Sequence, residues 1–247
     1  MHVYIYDDYL VKSKYTKAIN RMEIRITDLG LNGKILRLSG IKNVKSAIEN
    51  EIRLGAKTIV AVGNNQTVNK IIGAILNADV YDEFQKNTVL GIIPIGKDVS
   101  IAKAFGIKDE ESACNVLLAR RVKKIDLGSV ADYYFLKNLK IKSNNTVIKL
   151  DNFELKNESK GYIQIINLHD NPKDSLKKSS PHDGKLDIYI KNSNSDVTFI
   201  QSSSFSIENT NKENILIDDT LEIKTPATIG LISNAITVIV GKDRLFI

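Results

Sequence analysis

The chain predicts an α/β domain with a parallel sheet over residues 1–120, followed by an all-β antiparallel sandwich over residues 121–247. Three observations point there. Up to about residue 105, short β-branched runs alternate with stretches of helical period, the pattern of parallel strands joined by helical crossovers. Beyond about residue 120, short strand-like runs follow one another with no helical period between them. At 247 residues with 43% hydrophobic content, there is enough apolar material for two cores.

Taken in order, Val3–Tyr6 reads as the first strand, residues 12–29 carry a loosely helical pattern ending at Gly30, and Ile35–Leu38 is the second strand. Asn43 starts a helix with Val44, Ala47, Ile48 and Ile52 on its apolar face, closed by Gly55. Thr58–Val62 is a run suited to a strand buried on both faces. In the turn after it, Gly63, Asn64 and Asn65 tolerate positive φ, and Thr67 is placed to cap a helix burying Val68, Ile71, Ile72, Ile75 and Leu76. The first-turn N–H groups of such a helix leave the carboxyl end of the strand and suit an anion such as phosphate, although any βα unit has a turn there. Val89–Ile93 is another buried strand, broken at Pro94 and Gly96, and Ile101–Phe105 begins a short helix. Ligands of doubly wound sheets sit at the carboxyl ends of strands. GNNQT and PIGKDVS are the two such ends.

In the second half, Lys123–Leu127, Tyr133–Leu136, Thr146–Leu150, Tyr162–Ile166, Leu186–Ile190, Val197–Gln201, Asn214–Ile217 and Ala235–Val240 read as strands. The Asn-, Ser- and Lys-rich pieces at 142–145, 156–160, 171–180 and 191–196 read as exposed turns.

One cysteine, Cys114, precludes an intramolecular disulfide, and three scattered histidines make no zinc pattern. The strand-like start MHVYIY and the absence of a long apolar run lead us to expect no transmembrane segment and a cytoplasmic protein. The net charge of +6 is mostly dispersed lysine, with no basic stripe interleaved with aromatics along the chain, which argues against nucleic acid as a partner.

Five segments, VAVGNNQTVNKIIGAIL, VLGIIPIGKDVSIAKAFGI, RRVKKIDLGSVADYYFL, SPHDGKLDIYI and ILIDDTLEIKTPATIGLISNAITVIVG, occur in the order found in diacylglycerol kinases and bacterial lipid kinases, which the chain resembles over most of its length. The resemblance implies a nucleotide-binding domain related to that of NAD kinase followed by a sandwich, with ATP and Mg²⁺ as cofactors and a lipid hydroxyl as acceptor. It implies nucleotide contacts at Gly63, Asn64, Asn65, Gln66, Thr67, Asn69, Gly96, Lys97 and Ser100. It also implies a general base at Asp183, in Asp183-Gly184-Lys185-Leu186-Asp187, where an ordinary turn is the other reading. A nucleotide and a lipid at the membrane surface are the partners implied, the latter met peripherally by basic charge.

The chain departs from that family where charge matters. The family's Gly-Gly-Asp-Gly-Thr turn is Gly63-Asn64-Asn65-Gln66-Thr67, and its following Asn-Glu pair is Asn69-Lys70. Its Pro-Leu-Gly-Thr-Gly-Asn-Asp turn is Pro94-Ile95-Gly96-Lys97-Asp98-Val99-Ser100, and its Asn-Pro-x-Ser-Gly turn is replaced by Asp7-Asp8-Tyr9-Leu10. The Gly-rich segment before Asp183 becomes His169-Asp170-Asn171-Pro172-Lys173, the later Asp-Gly-Glu becomes Asp218-Asp219-Thr220, and a helical subregion after Tyr133–Leu136 is expected to be missing. An amide in place of a carboxylate brings no charge to a hard cation, and whether another carboxylate, for instance Asp98 or Asp7, has taken over the metal is left open by the sequence. Three readings stand: a lipid kinase with a divergent pocket, a non-catalytic binding or regulatory descendant, and a NAD kinase relative. Loss of both acidic motifs favours the second, because phosphoryl transfer rests on charge stabilisation and positioning.

Overall fold

The computed structural model describes residues 1–40, 43–142, 144–157, 160–170, 179–192 and 197–246. The expected turns at 142–145, 156–160, 171–180 and 191–196 lie partly or wholly outside these residues. The chain forms two compact units. One holds Met1–Lys124, Asp170 and the stretch from Ile236 onward; the other holds Ile125–His169 and the later stretch ending at Ala235. A single cut between residues 120 and 121 would thus leave the C-terminal stretch in the wrong unit.

In the first unit, β1 (His2–Tyr6), β2 (Gly33–Arg37), β3 (Thr58–Gly63) and β4 (Val89–Pro94) pair in parallel in the order β2-β1-β3-β4. Its helices are α1 (Thr16–Asp28), α2 (Val44–Arg53), α3 (Asn65–Leu76), α4 (Tyr81–Asn87), α5 (Ser100–Ala104) and α6 (Glu110–Ala119). Every residue of β3 is buried, as an apolar run between two parallel neighbours requires. Asn43 caps α2 with its Oδ1 on the Ser46 N–H at 3.2 Å. The start of α3 differs from expectation: Asn64, not Thr67, is the N-cap, and Thr67 returns a bond to the Asn64 N–H, which makes a capping box. Neither Asn64 nor Asn65 takes positive φ; Asn64 is extended. The helix α6 went unread in the sequence. A Cβ on Gly91 would lie 2.5 Å from the Leu117 side chain, so this glycine lets α6 lie close against β4.

The second unit is built from β5 (Val122–Val130), which enters it from the first, and β6 (Tyr133–Phe135), β7 (Asn138–Lys142), β8 (Thr146–Lys149), β9 (Glu154–Asn157) and β10 (Gly161–Ile166). It continues through β11 (Leu186–Asn192), β12 (Val197–Ser202), β13 (Ser204–Asn209), β14 (Asn214–Ile217), β15 (Leu221–Lys224) and the first part of β16 (Ala227–Ile239). Six strands form an antiparallel sheet in the order β12-β11-β10-β7-β14-β15. Alternate residues of that sheet, among them Leu139, Ile141, Ile163, Ile165, Ile188 and Ile215, share one core with Phe135, Ile148, Phe205, Ile207 and Ile229 from the other strands. The α/β-plus-sandwich class expected from the sequence is the class observed. β7, β9, β13, β15 and the first half of β16 were not read as strands.

Candidate functional site

The first unit brings the two expected turns together at the carboxyl ends of β3 and β4. Gly63 closes β3, where a Cβ would stand 2.2 Å from Thr67 Oγ1, so only glycine leaves room for the capping box. The Ile95 N–H donates to the Gly63 carbonyl at 3.0 Å, and the Asn65 N–H donates to the Asp98 carbonyl at 2.9 Å. Asn65 is 1% exposed and its amide is fully used. Its Nδ2 donates to Asp98 Oδ1 at 2.7 Å and to Ser100 Oγ at 2.9 Å, while its Oδ1 accepts from the Ile101 N–H at 3.1 Å. Ser100 Oγ in turn donates to Asp170 Oδ2 at 2.6 Å. The Ser100–Asp170 contact spans 70 positions, and nothing local in the sequence signals it.

The segment that replaces the Asn-Pro-x-Ser-Gly turn covers the same ground from another side. Asp7 Oδ2 accepts from Thr67 Oγ1 at 2.6 Å, and its Oδ1 accepts from the Tyr9 N–H at 3.4 Å. Tyr9 donates its hydroxyl to the Ile95 carbonyl at 2.5 Å, and a Cβ on Gly96 would lie 2.7 Å from that hydroxyl. Burial, then the Asp7 carboxylate, pushes the Tyr9 phenol above its ordinary value, so it stays a neutral donor. Gln66, Lys70 and Lys97 are exposed, and Asn69 is half-buried.

These residues fit a nucleotide triphosphate and its cation poorly. Two first-turn N–H groups of α3, those of Asn65 and Thr67, already bond within the protein. Asp7, Asp98 and Asp170 each accept from a protein hydroxyl or amide. Among the described residues, no group of three or more His, Cys, Asp or Glu side chains converges as metal ligands would.

In the second unit, Asp183 Oδ1 accepts from the Lys185 N–H at 3.1 Å across Gly184, which has φ of 74°, so the carboxylate closes its own turn before β11. Partial burial raises its pKa; the Lys185 N–H opposes this, and the Asp187 and Asp126 carboxylates add to it. The residue that holds this turn is one the sequence reading passed over. Asp126 is 2% exposed; its Oδ2 accepts from the Gly184 N–H at 2.9 Å and its Oδ1 from the Asn234 N–H at 2.7 Å. A lone carboxylate in the apolar strand KKIDLG was its only signal.

A parallel α/β unit with two convergent strand-end turns, linked in one chain to an antiparallel sandwich, is the framework of the lipid kinase class. Residues 5–130 match the model of the diacylglycerol kinase catalytic domain, and the chain belongs to that family. It is 28% identical over 111 residues to "Probable lipid kinase YegS-like" of Enterobacter sp. (strain 638), a match that spans 43% of this chain and 36% of that protein. The chain thus aligns with about a third of that relative's length. The crystal structure of a diacylglycerol kinase from Bacillus anthracis str. Sterne superposes with a TM-score of 0.82 at 15% identity, over 99% of this chain and 98% of that one.

Proposed function

We propose that this chain is a non-catalytic member of the diacylglycerol kinase family, a binding or regulatory protein whose nucleotide cradle is closed by its own side chains. The observation that carries the reading is the buried Asn65 amide, bonded to Asp98, Ser100 and the Ile101 N–H. ATP phosphates arriving between these turns would have to break bonds that are already made, with no cationic group among the described residues buried there to compensate. Family membership implies ATP and a divalent cation, and the residues present hold neither well. The second reading, a lipid kinase with Asp183 as base, is favoured by the retained Asp183-Gly184-Lys185-Leu186-Asp187 segment and the raised pKa of Asp183.

Calorimetric titration with ATP, with and without Mg²⁺, together with phosphate transfer to diacylglycerol in vesicles, separates the two. We expect no heat of binding at affinities down to about 1 mM, which corresponds to about 4 kcal/mol, and no transfer. Mg²⁺-dependent ATP binding with transfer that Asp183→Ala abolishes would overturn the proposal.

A further inference from the structure

The outward face of the six-stranded sheet carries chemistry that a phosphotransferase cradle does not use. The registers of β12, β11, β10 and β7 place Val197 opposite Lys191, Lys191 opposite Tyr162, and Tyr162 opposite Lys142. The next row runs Phe199, Tyr189, Gln164, Lys140 and Leu216. Pairing in the sheet therefore interleaves lysine with aromatic residues that are far apart along the chain. The sequence, read linearly, shows no such stripe.

Lys191 Nζ lies 5.8 Å from the centroid of the Tyr162 ring, and the Phe199 and Tyr189 rings pack at 5.0 Å. Tyr162, Val197 and Phe199 are 44%, 48% and 39% exposed. A groove of about 510 Å³ opens on the same face, with Lys140, Lys142, Lys212, Tyr162 and Leu216 among its lining, and with Glu213 and Glu222 as its acids. Asp219 neutralises Lys140 at 2.6 Å, and Glu222 is engaged by Asn214 Nδ2 at 2.7 Å. Among the described residues, Lys142, Lys191, Lys212 and Lys224 have no carboxylate partner.

We propose that this face docks on the surface of an anionic lipid bilayer. Lysines with long apolar stems, set beside tyrosine and phenylalanine, match the boundary between headgroups and acyl chains, where the ammonium reaches phosphate and the ring lies in the interface. Val197 and Leu216, both on this face, favour a bilayer over single-stranded nucleic acid, since an aliphatic side chain offers a base no stacking surface. Four ammonium groups with no carboxylate partner among the described residues give the charge complementarity, and each lysine near an anionic surface strengthens binding about fivefold. No residue of the nucleotide turns takes part, so the proposal stands apart from the reading of the cradle.

Flotation of the whole chain with phosphatidylcholine vesicles, and with vesicles in which about a third of the lipid is phosphatidylglycerol, tests it. Binding is expected only to the anionic vesicles and to weaken with salt. Lys142→Glu with Lys191→Glu is expected to weaken it at least tenfold, whereas Lys17→Glu with Lys86→Glu, the same charge change on exposed residues of the first unit, leaves it within about twofold. Tyr162→Ala is expected to weaken binding with the salt dependence retained, and thermal melts confirm that each variant is folded. Equal binding to both kinds of vesicle, equal loss in both double variants, or binding of single-stranded RNA through Lys142 and Lys191 without vesicle binding would each overturn the proposal.

Discussion

At position 65, an amide does what a carboxylate cannot: it donates twice, to Asp98 and Ser100, while accepting from the Ile101 N–H. Asn65→Asp, which restores the family's acid, would remove both donors and set a second negative charge against Asp98. Stability at neutral pH is expected to fall by about 1–3 kcal/mol in chelator, read by urea unfolding, and the loss should shrink as acid protonates the pair. Asp218 gives a second prediction, in the native chain. Its carboxylate accepts from the Leu136, Lys137 and Asn138 N–H groups and is 1% exposed. Burial pushes its pKa up to about 6, against those donors and Lys137. Between about 4, the unfolded value, and about 6, the folded state holds a proton that the unfolded chain has lost, so stability contributed at this site falls as pH rises through that window. Urea midpoints across this range should show the slope in the native protein and a flatter profile in Asp218→Asn.

Among the elements, the capping box of α3 joins sequence to site most directly. Asn64→Ala removes the acceptor for the Thr67 N–H and should cost about 1 kcal/mol, measured by thermal unfolding. That β3 and α3 exist was legible, because a β-branched run followed by a polar turn and apolar residues at helical spacing has few other outcomes. Which residue caps the helix was not legible, since Asn64 and Thr67 are both competent and only the closed geometry at Gly63 selects between them. β7 escaped notice because Asn138-Leu139-Lys140-Ile141-Lys142 offers just two apolar residues before a polar turn, although both reach the core. α6 was signalled by Asp109 and Ser112, which form a capping box, but its apolar residues do not keep to one face: Leu118 is exposed. The candidate site was half visible. Gly63–Thr67 and Gly96–Ser100 could be read as facing turns, whereas Tyr9 over Gly96 and Asp170 on Ser100 are contacts between distant segments that no local pattern encodes.

At the scale of the whole molecule, the two units are interleaved along the chain rather than laid end to end. The end of β16 pairs with β4 in parallel, Val238 with Leu90, and the Gly241 and Leu245 N–H groups donate to the Phe105 and Ala104 carbonyls at 2.8 Å each. Phe246 packs edge-on against Phe105 with centroids 5.6 Å apart. Truncation after Ala235 should therefore destabilise the first unit, not the second. Limited proteolysis should show earlier cleavage within residues 1–124 while the sandwich core around Ile163 and Ile188 stays protected. Among the described residues, no helix is long and apolar enough to cross a membrane. The return of β16 also sets a schedule for biosynthesis. A ribosome delivers β4 long before its outer neighbour, so the nascent first unit must wait through translation of the whole sandwich with one sheet edge open. It completes itself only when the last strand emerges, and during that interval it is the half of the molecule that would most benefit from a chaperone.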